Sequence, residues 1–583
     1  MTELRAIRQA AAQEHEKRHH RFGYLRLALG AMLLYAGWLG RAHPDETPWP
    51  FLIQLVLFMS ATIIHSRVIR RMEFAQRSVD YYDRGLVRLN GDYSKTPSRG
   101  DSFADPHHPF SGDLDLFGAG GLFERLCHAR TREGESTLAG WLLDQAGPPA
   151  APARLAAAAE LADRVELREA LAVLGPDLNS ALHPKALREW STGQSKLFPA
   201  ATKWLWITAA FSAACVAASI ALQALSPLGL GILLSSAVFG LHHRTILLAL
   251  HETSHAGRDL KVLQEALALI ENNTFESDLL KNIQSRIKSD GPAASHRIGK
   301  LATLAEWIDS LDNQGFRLLD LLFLFSLHFV RAADNWRAIN GALVDTWLKA
   351  VGEFEALASI SAWQYENPDT VAPTWTDKPT LRGEALRHPL IPRDRVITND
   401  ADLGAATRLL VVSGSNMSGK STYLRTLGLN VVLAHAGATV AAKSLTLSPL
   451  WLGASIRTVD SLQEGASRFY AELQRLKTIV DMSGQDRKLL FLLDELLSGT
   501  NSHDRRIGAA GIVSKLLESG AIGLVTTHDL ALADIASDHT NVHFEDEIVD
   551  GKIHFDYRMK PGVVRTSNAL ALMRAVGLDV PAN

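Results

Sequence analysis

The residues Gly414-Ser415-Asn416-Met417-Ser418-Gly419-Lys420-Ser421 have the spacing G-x-x-x-x-G-K-[ST]. They follow a short apolar, β-branched run at 409–412 and precede a helical pattern at 422–436. Glycines at these positions let backbone N–H groups curl around phosphate oxygens, and the start of the following helix adds partial positive charge. Lys420 is read as the ammonium that reaches the β- and γ-phosphates, and Ser421 as a hydroxyl ligand of Mg²⁺. Thr422 completes the expected ATP-binding set. A second apolar run, 489–493, ends in Asp494-Glu495. A carboxylate there can hold Mg²⁺ (Asp494), and its neighbour can polarise a water as general base (Glu495). A third run, 521–525, leads to Thr526-Thr527-His528, where the imidazole can contact the γ-phosphate or orient water. The chemistry is hydrolysis of a nucleoside triphosphate, with Lys420, Glu495 and His528 as catalytic candidates.

These groups sit at the ends of buried parallel strands, which read as continuous apolar runs because both faces are covered. The predicted C-terminal domain is therefore an α/β P-loop domain. The chain of 583 residues is long enough for about three to five domains. Its net charge of −3 gives no whole-chain case for nucleic acid, so a basic surface has to be local. The two cysteines, Cys127 and Cys215, support neither a disulfide framework nor a cysteine-based zinc site.

Ahead of that domain the chain is mostly helical, and two stretches are apolar enough for lipid. Residues 27–40, extended back to 23, and residues 51–66 flank a polar, Pro-containing link and predict one transmembrane hairpin. Residues 204–243 contain no Asp, Glu, Lys or Arg and break at Ser226-Pro227, which predicts a second hairpin. Lys and Arg cluster on the sides away from the turns, so both termini and the large domains are expected in the cytoplasm of a multi-pass plasma-membrane protein. The expected order is an N-terminal cytoplasmic helix 1–22, transmembrane hairpins at 23–66 and 200–244, and a helical core 67–199. A long antiparallel helical arm 245–365 turning at Asp290-Gly291-Pro292, a linker 366–383 and the nucleotide domain 384–583 complete it. The apolar run 318–330 contains Asp320 and His328 and is too short to span, so it is expected as a buried helix.

Further motifs resemble the MutS family. Asn416-Met417 lies inside the phosphate loop as in that family's N-M-x-G-K-S-T, and Ser467-Arg468-Phe469-Tyr470-Ala471-Glu472 resembles its S-x-F-x-x-E segment. Ser498-Gly499-Thr500-Asn501-Ser502 resembles the loop after the metal-binding strand, and Arg387-His388-Pro389-Leu390 the entry to the domain. The likeness is dense over 384–580 and weaker over 113–195, where 121–143 is similar to the family's helical core. It implies an ABC-type homodimer with ATP and Mg²⁺ in composite sites. Ser467 of one subunit would face the γ-phosphate held by the other, with Asn501 and Ser502 near the seam. It also implies an adenine pocket at Val396-Ile397 and Tyr557, and arms that clamp DNA or a protein partner. A Phe-x-Glu wedge for mismatch reading is absent from the sequence, so the resemblance supports the engine and not mismatch recognition.

Three other readings compete. An ATP-driven membrane machine or transporter would use the same engine without nucleic acid, and a structural anchor would bind nucleotide without turnover. His251-Glu252-Thr253-Ser254-His255 fits H-E-x-x-H, a zinc metalloprotease signature, with Glu265, Glu271 and Glu276 as candidate third ligands. For DNA, the expected basic strip is Lys281, Arg286, Lys288, Arg297 and Lys300.

Overall fold

A computed structural model describes the chain except residues 43–48, 90–97, 145–148, 175–183, 194–200, 289–290, 311–319, 321, 416, 457–467, 485–487, 529–538, 550–551 and 565–583. The chain divides into two units, 1–96 with 169–173, and 97–168 with 174–583.

The first unit is a pair of antiparallel helices, Thr2–Ala42 and Trp49–Leu89. Contacts set the register: Arg5 pairs with Asp83, His19 meets His65 at 3.0 Å, and the Gln54 amide donates to the Leu29 carbonyl at 3.0 Å. Gly30 and Gly37 lie against the Phe58 and Phe51 rings, so the helices close up where side chains are smallest. At 41 residues each helix is about 60 Å long, roughly twice a hydrocarbon core. The apolar halves turn large side chains outward; Leu34 is 79% exposed and Trp38 64%. Both helices are long and apolar enough to cross a membrane, by length and composition. They extend beyond the expected 23–66 hairpin in both directions, because amphipathic sequence continues each helix past its apolar part.

In the second unit, helices Ala201–Leu222 and Ser226–Glu271 form the second expected hairpin. Their apolar parts among the described residues, Trp206–Leu222 and Ser226–Gly240, fall short of the length that marks the first pair. Small polar residues join them: Ser212 and Ser235, both fully buried, meet at 3.0 Å. The arm differs from the expected two long helices. Helix Ser226–Glu271 ends at the poor helix formers Asn272-Asn273-Thr274, and a separate helix Asp278–Ile287 follows. The Glu160 carboxylate holds that turn, accepting from the Glu276 and Ser277 N–H groups at 2.9 and 2.8 Å. The second long helix is instead broken, and among the described residues it includes helices Ala294–Ser310, Phe325–Asn340 and Val344–Glu366. One interruption lies at Leu324, buried with φ +54°, so the apolar run expected as one helix is split. Another lies at Gly341, where a Cβ would come within 2.2 Å of the Ser191 carbonyl.

The nucleotide domain has a six-stranded sheet in the order β10-β9-β4-β8-β7-β6. Its strands are β4 (Leu409–Ser413), β6 (Leu450–Ser455), β7 (Lys488–Asp494), β8 (Ile522–Thr527), β9 (His539–Val549) and β10 (Lys552–Pro561). All neighbours are parallel except β10 on β9. Alternation along β4 explains the layers. Leu410 and Val412 enter one core with Leu424, Leu427 and Val431 of helix Lys420–Ala436. Leu409 and Val411 enter another with Leu476 and Ile479 of helix Arg468–Ser483 and Val513 and Leu516 of helix Ser502–Glu518. A smaller sheet, β1-β5-β2-β3, is built from Thr374–Trp375, Ser444–Leu447, Leu381–Leu386 and Asn399–Leu403 in that order. The stretch expected as a linker, 366–383, therefore carries a strand: β1 pairs with β5, and Val371 bridges Val440.

Candidate functional site

The sheet brings the three sequence runs together. Parallel pairing sets Asp494 opposite Thr526 and Ser413 opposite Thr527, so the ends of β4, β7 and β8 meet at one edge. The loop leaving β4 is tight. Gly414 has φ +150°, and a Cβ there would lie 2.9 Å from the Phe544 carbonyl and the Ser418 hydroxyl. Gly419 has φ +104°, and a Cβ there would meet the Tyr557 ring at 3.2 Å. Met417 is left-handed at φ +69° and 84% exposed. The Ser418 N–H donates to the Ser415 carbonyl at 3.4 Å.

Lys420 is buried, and its ammonium donates to the carbonyls of Gly414 and Ser415 at 2.9 and 2.8 Å. It lies 3.9 Å from a Glu495 carboxylate oxygen. Burial lowers the Lys420 pKa from its ordinary value, and the charges of Glu495 and Asp494 oppose that shift. Asp494 accepts a hydrogen bond from the Thr526 hydroxyl. Ser421 lines the same cavity as Lys420 and Glu495. The hydroxyl of Ser421 and the carboxylate of Asp494 are hard oxygen donors and suit Mg²⁺.

Glu495 sits in a strained turn. It has φ +47° and Leu497 φ +55°, unfavourable for residues with a Cβ. Three groups hold the turn. The Glu495 N–H lies 3.2 Å from the Thr526 hydroxyl oxygen, the Leu497 N–H donates to the buried Glu472 carboxylate at 2.6 Å, and the Arg505 guanidinium donates to the Leu496 carbonyl at 3.2 Å. His528 faces Glu495 through Nδ1 at 3.5 Å and Arg505 through Nε2 at 3.4 Å. The sequence motifs include Glu472 and Thr526 but not Arg505, and they do not show what any of the three contacts. They come from other elements and meet the turn only in the fold.

A cavity of about 490 Å³ opens beside the phosphate loop. Val396, Ile397 and Tyr557, expected as the adenine pocket, line it with Met417, Gly419, Thr422 and His388. Tyr557 stands in a bulge of β10, where pairing shifts between Phe555 and Met559 and its own φ is +52°. Asn399 clamps that bulge, donating to the Tyr557 carbonyl at 3.0 Å and accepting from the Met559 N–H at 2.7 Å. Burial pushes the His388 imidazole down to about 4, with Arg425 adding to the effect, so it is neutral near pH 7. Replacing Asn399 by Ala removes both clamps, each worth about 1 kcal/mol. Fluorescent-ATP titration of Asn399→Ala is expected to show several-fold weaker binding with little change in saturated turnover.

Asn501 caps helix Ser502–Glu518, accepting from the Asp504 N–H at 2.9 Å, and both Asn501 and Ser502 are exposed. Asn416 and Ser467 lie outside the described residues. So do the side chains of His251 and His255; Glu271 is bonded to Ser295, and Glu265 and Glu276 are exposed. Among the described residues no group of three His, Cys, Asp or Glu could hold a metal. Of the basic strip, Lys281, Lys288 and Lys300 are exposed, Arg286 pairs with Glu353, and Arg297 donates to the Pro292 carbonyl at 2.8 Å.

Sheet, loop and carboxylate strand together define an α/β domain of the P-loop type. Residues 410–582 match the family profile described as MutS domain V. Residues of this chain are also 30% identical over 218 positions to Endonuclease MutS2 of Shouchella clausii, covering 36% of this chain and 27% of that protein. The DNA mismatch repair protein MutS of Natronomonas pharaonis is 32% identical over 244 positions, covering 40% of this chain and 27% of that protein. For Endonuclease MutS2 of Thermomicrobium roseum the figures are 32% over 206 positions, 34% and 25%. Its C-terminal domain is thus similar to MutS domain V and to part of proteins named MutS and MutS2. It spans about a quarter of the length of the curated relatives it matches.

Proposed function

We propose that this chain is a membrane-anchored, MutS-type ATPase that binds ATP with Mg²⁺ and hydrolyses it at the seam of a homodimer. The observation that carries the reading is the Glu495 turn, which holds a carboxylate 3.9 Å from the Lys420 ammonium and 3.5 Å from His528. Lys420 neutralises charge on the β- and γ-phosphates, with the phosphate loop's N–H groups beside it. Mg²⁺, when bound by Ser421 and Asp494, supplies further charge neutralisation. Glu495 accepts the proton of the attacking water, and His528 orients that water or the γ-phosphate. Met417, exposed at the loop, and the cap Asn501-Ser502 lie on surfaces open to a second subunit, whose Ser467 completes the site. The outward apolar halves of Thr2–Ala42 and Trp49–Leu89 support a lipid anchor, with the nucleotide domain in the cytoplasm and the 200–244 hairpin as a second anchor. Closure of the dimer moves the helical arm, whose exposed Lys281, Lys288 and Lys300 make DNA one candidate ligand.

Two measurements on the full chain test this. Fractionated cells are expected to hold the protein in membranes, released by detergent and not by salt; recovery in the soluble fraction would remove the anchor. The detergent-purified protein is expected to hydrolyse ATP in Mg²⁺. The same assay with plain, mismatched and branched duplexes identifies whether nucleic acid is what the arms hold.

A further inference from the structure

The loop 105–115, inside the stretch expected as the helical core, is fastened to the nucleotide domain at three places. On the phosphate-loop helix, Arg425 donates to the Asp113 carbonyl at 3.0 Å and faces the Asp115 carboxylate at 3.7 Å. At the outer strand, the Ala454 N–H donates to the Pro109 carbonyl at 2.9 Å, and the Ile456 N–H donates to the Asp113 carboxylate at 2.7 Å. On helix Arg468–Ser483, Arg475 donates to the carbonyls of His108 and Pro106, and its guanidinium lies 4.0 Å from the other Asp113 oxygen. Asp113 is 2% exposed, and the Ile456 N–H holds its carboxylate inside the protein. Leu114, fully buried, packs on Gly428 of the phosphate-loop helix, where any larger residue would collide with it. The loop then runs directly into helix Leu122–Leu126 and the packed core around it.

Helix Arg468–Ser483 is therefore held at two points on neighbouring turns. Arg475 ties it to the loop, and Glu472, three residues earlier, ties it to the Leu497 N–H of the Glu495 turn. A helix is stiff along its axis, so displacement at Arg475 is delivered to Glu472 and on to that turn. The Glu495 conformation is left-handed and persists only while its surroundings hold it.

We infer that Asp113 and Arg475 are positioning residues that set Glu495 through the helix and Glu472, so that movement of the helical core regulates the hydrolytic step rather than nucleotide binding. The inference rests on the ATPase reading and adds the route by which it is controlled. None of the three side chains is among those lining the cavity beside the phosphate loop, which separates them from the binding groups.

The test uses detergent-purified full-length protein and measures kcat, KM for ATP and fluorescent-nucleotide affinity. Misplacing a reacting group by about 1 Å costs on the order of 10²-fold in rate. Asp113→Ala and Arg475→Ala are each expected to lower kcat by about 10-fold or more, with nucleotide affinity within about 2-fold of wild type. The double variant is expected to be no worse than the worse single one, because both act through one contact chain. Asp113→Asn, which keeps an acceptor for the Ile456 N–H, is expected to retain more turnover than Asp113→Ala. Unchanged kcat in folded Asp113→Ala, multiplicative losses in the double variant, or weakened nucleotide binding with normal kcat would each overturn the inference. If Asp113→Ala fails to fold, Arg475→Ala carries the test alone, and unchanged kcat in folded Arg475→Ala overturns the inference. Absence of hydrolysis by wild type would remove the ATPase reading, and this inference with it. Normal wild-type hydrolysis with an indifferent Asp113→Ala removes only the route.

Discussion

Glu495→Gln is expected to lower ATP turnover by about 10²- to 10⁴-fold, the range of a lost general base, while nucleotide still binds. The amide is nearly the same size, so the turn held by Thr526, Glu472 and Arg505 is retained. What is lost is the proton acceptor. A second consequence follows from the charge facing it. Burial already lowers the Lys420 pKa, and Glu495 is the larger of the two carboxylate influences that hold it up. Removing that charge lowers the Lys420 pKa further. The protonated ammonium is the form that binds phosphate, and it is lost as pH rises through its pKa. The alkaline limb of nucleotide binding is therefore expected to move to lower pH in Glu495→Gln. A titration of binding against pH that superimposes on wild type would show that the two groups are not coupled, and equal turnover in the two proteins would rule out Glu495 as the base.

Lys420→Ala is expected to be as damaging, by another route. Loss of one preorganised donor to a transition-state oxyanion costs roughly 10²- to 10³-fold in rate. Here the ammonium also ties down the carbonyls of Gly414 and Ser415, so the loop loses internal bonds as well as its charge. Nucleotide affinity and turnover are both expected to fall, in contrast to the turnover-only effect at Glu495. Equilibrium binding of a fluorescent ATP analogue and single-turnover hydrolysis separate the two signatures. Arg at this position is not a conservative replacement, because the buried site fits a narrow ammonium and not a planar fork. A Lys420→Ala protein with normal affinity and turnover would leave the phosphate loop without its assigned job.

The apolar hairpins show how far composition carries an argument about position. The first apolar runs are found on outward faces of two antiparallel helices, and the exposure of Leu27, Leu34 and Trp38 is what lipid contact requires. The second pair holds no Asp, Glu, Lys or Arg over 204–243. Its helix Ser226–Glu271 runs on without a break into the arm, since no residue near 244 disfavours helix strongly enough to end it. Breaks in the arm came instead from contacts: Glu160 at 276–277 and the Ser191 carbonyl against Gly341.

Residue order alone marks the phosphate loop, the strands that lead into it and the carboxylates at the end of β7. Each is a contiguous motif whose chemistry depends on its own spacing and on the alternation of buried faces. Which groups hold those residues in place depends on contacts between distant parts of the chain. Asp113 meets the Ile456 N–H across 343 residues of chain, Glu472 meets Leu497, Arg505 meets His528, and Asn399 clamps the Tyr557 bulge from another sheet. The sequence does not show such pairings, even for Glu472, which closes a recognisable segment, because a carboxylate on a helix has the same pattern whether it faces solvent or a strained turn. The difference lies in the neighbours that folding brings to it, and those neighbours fix the position and charge of the groups the motif supplies.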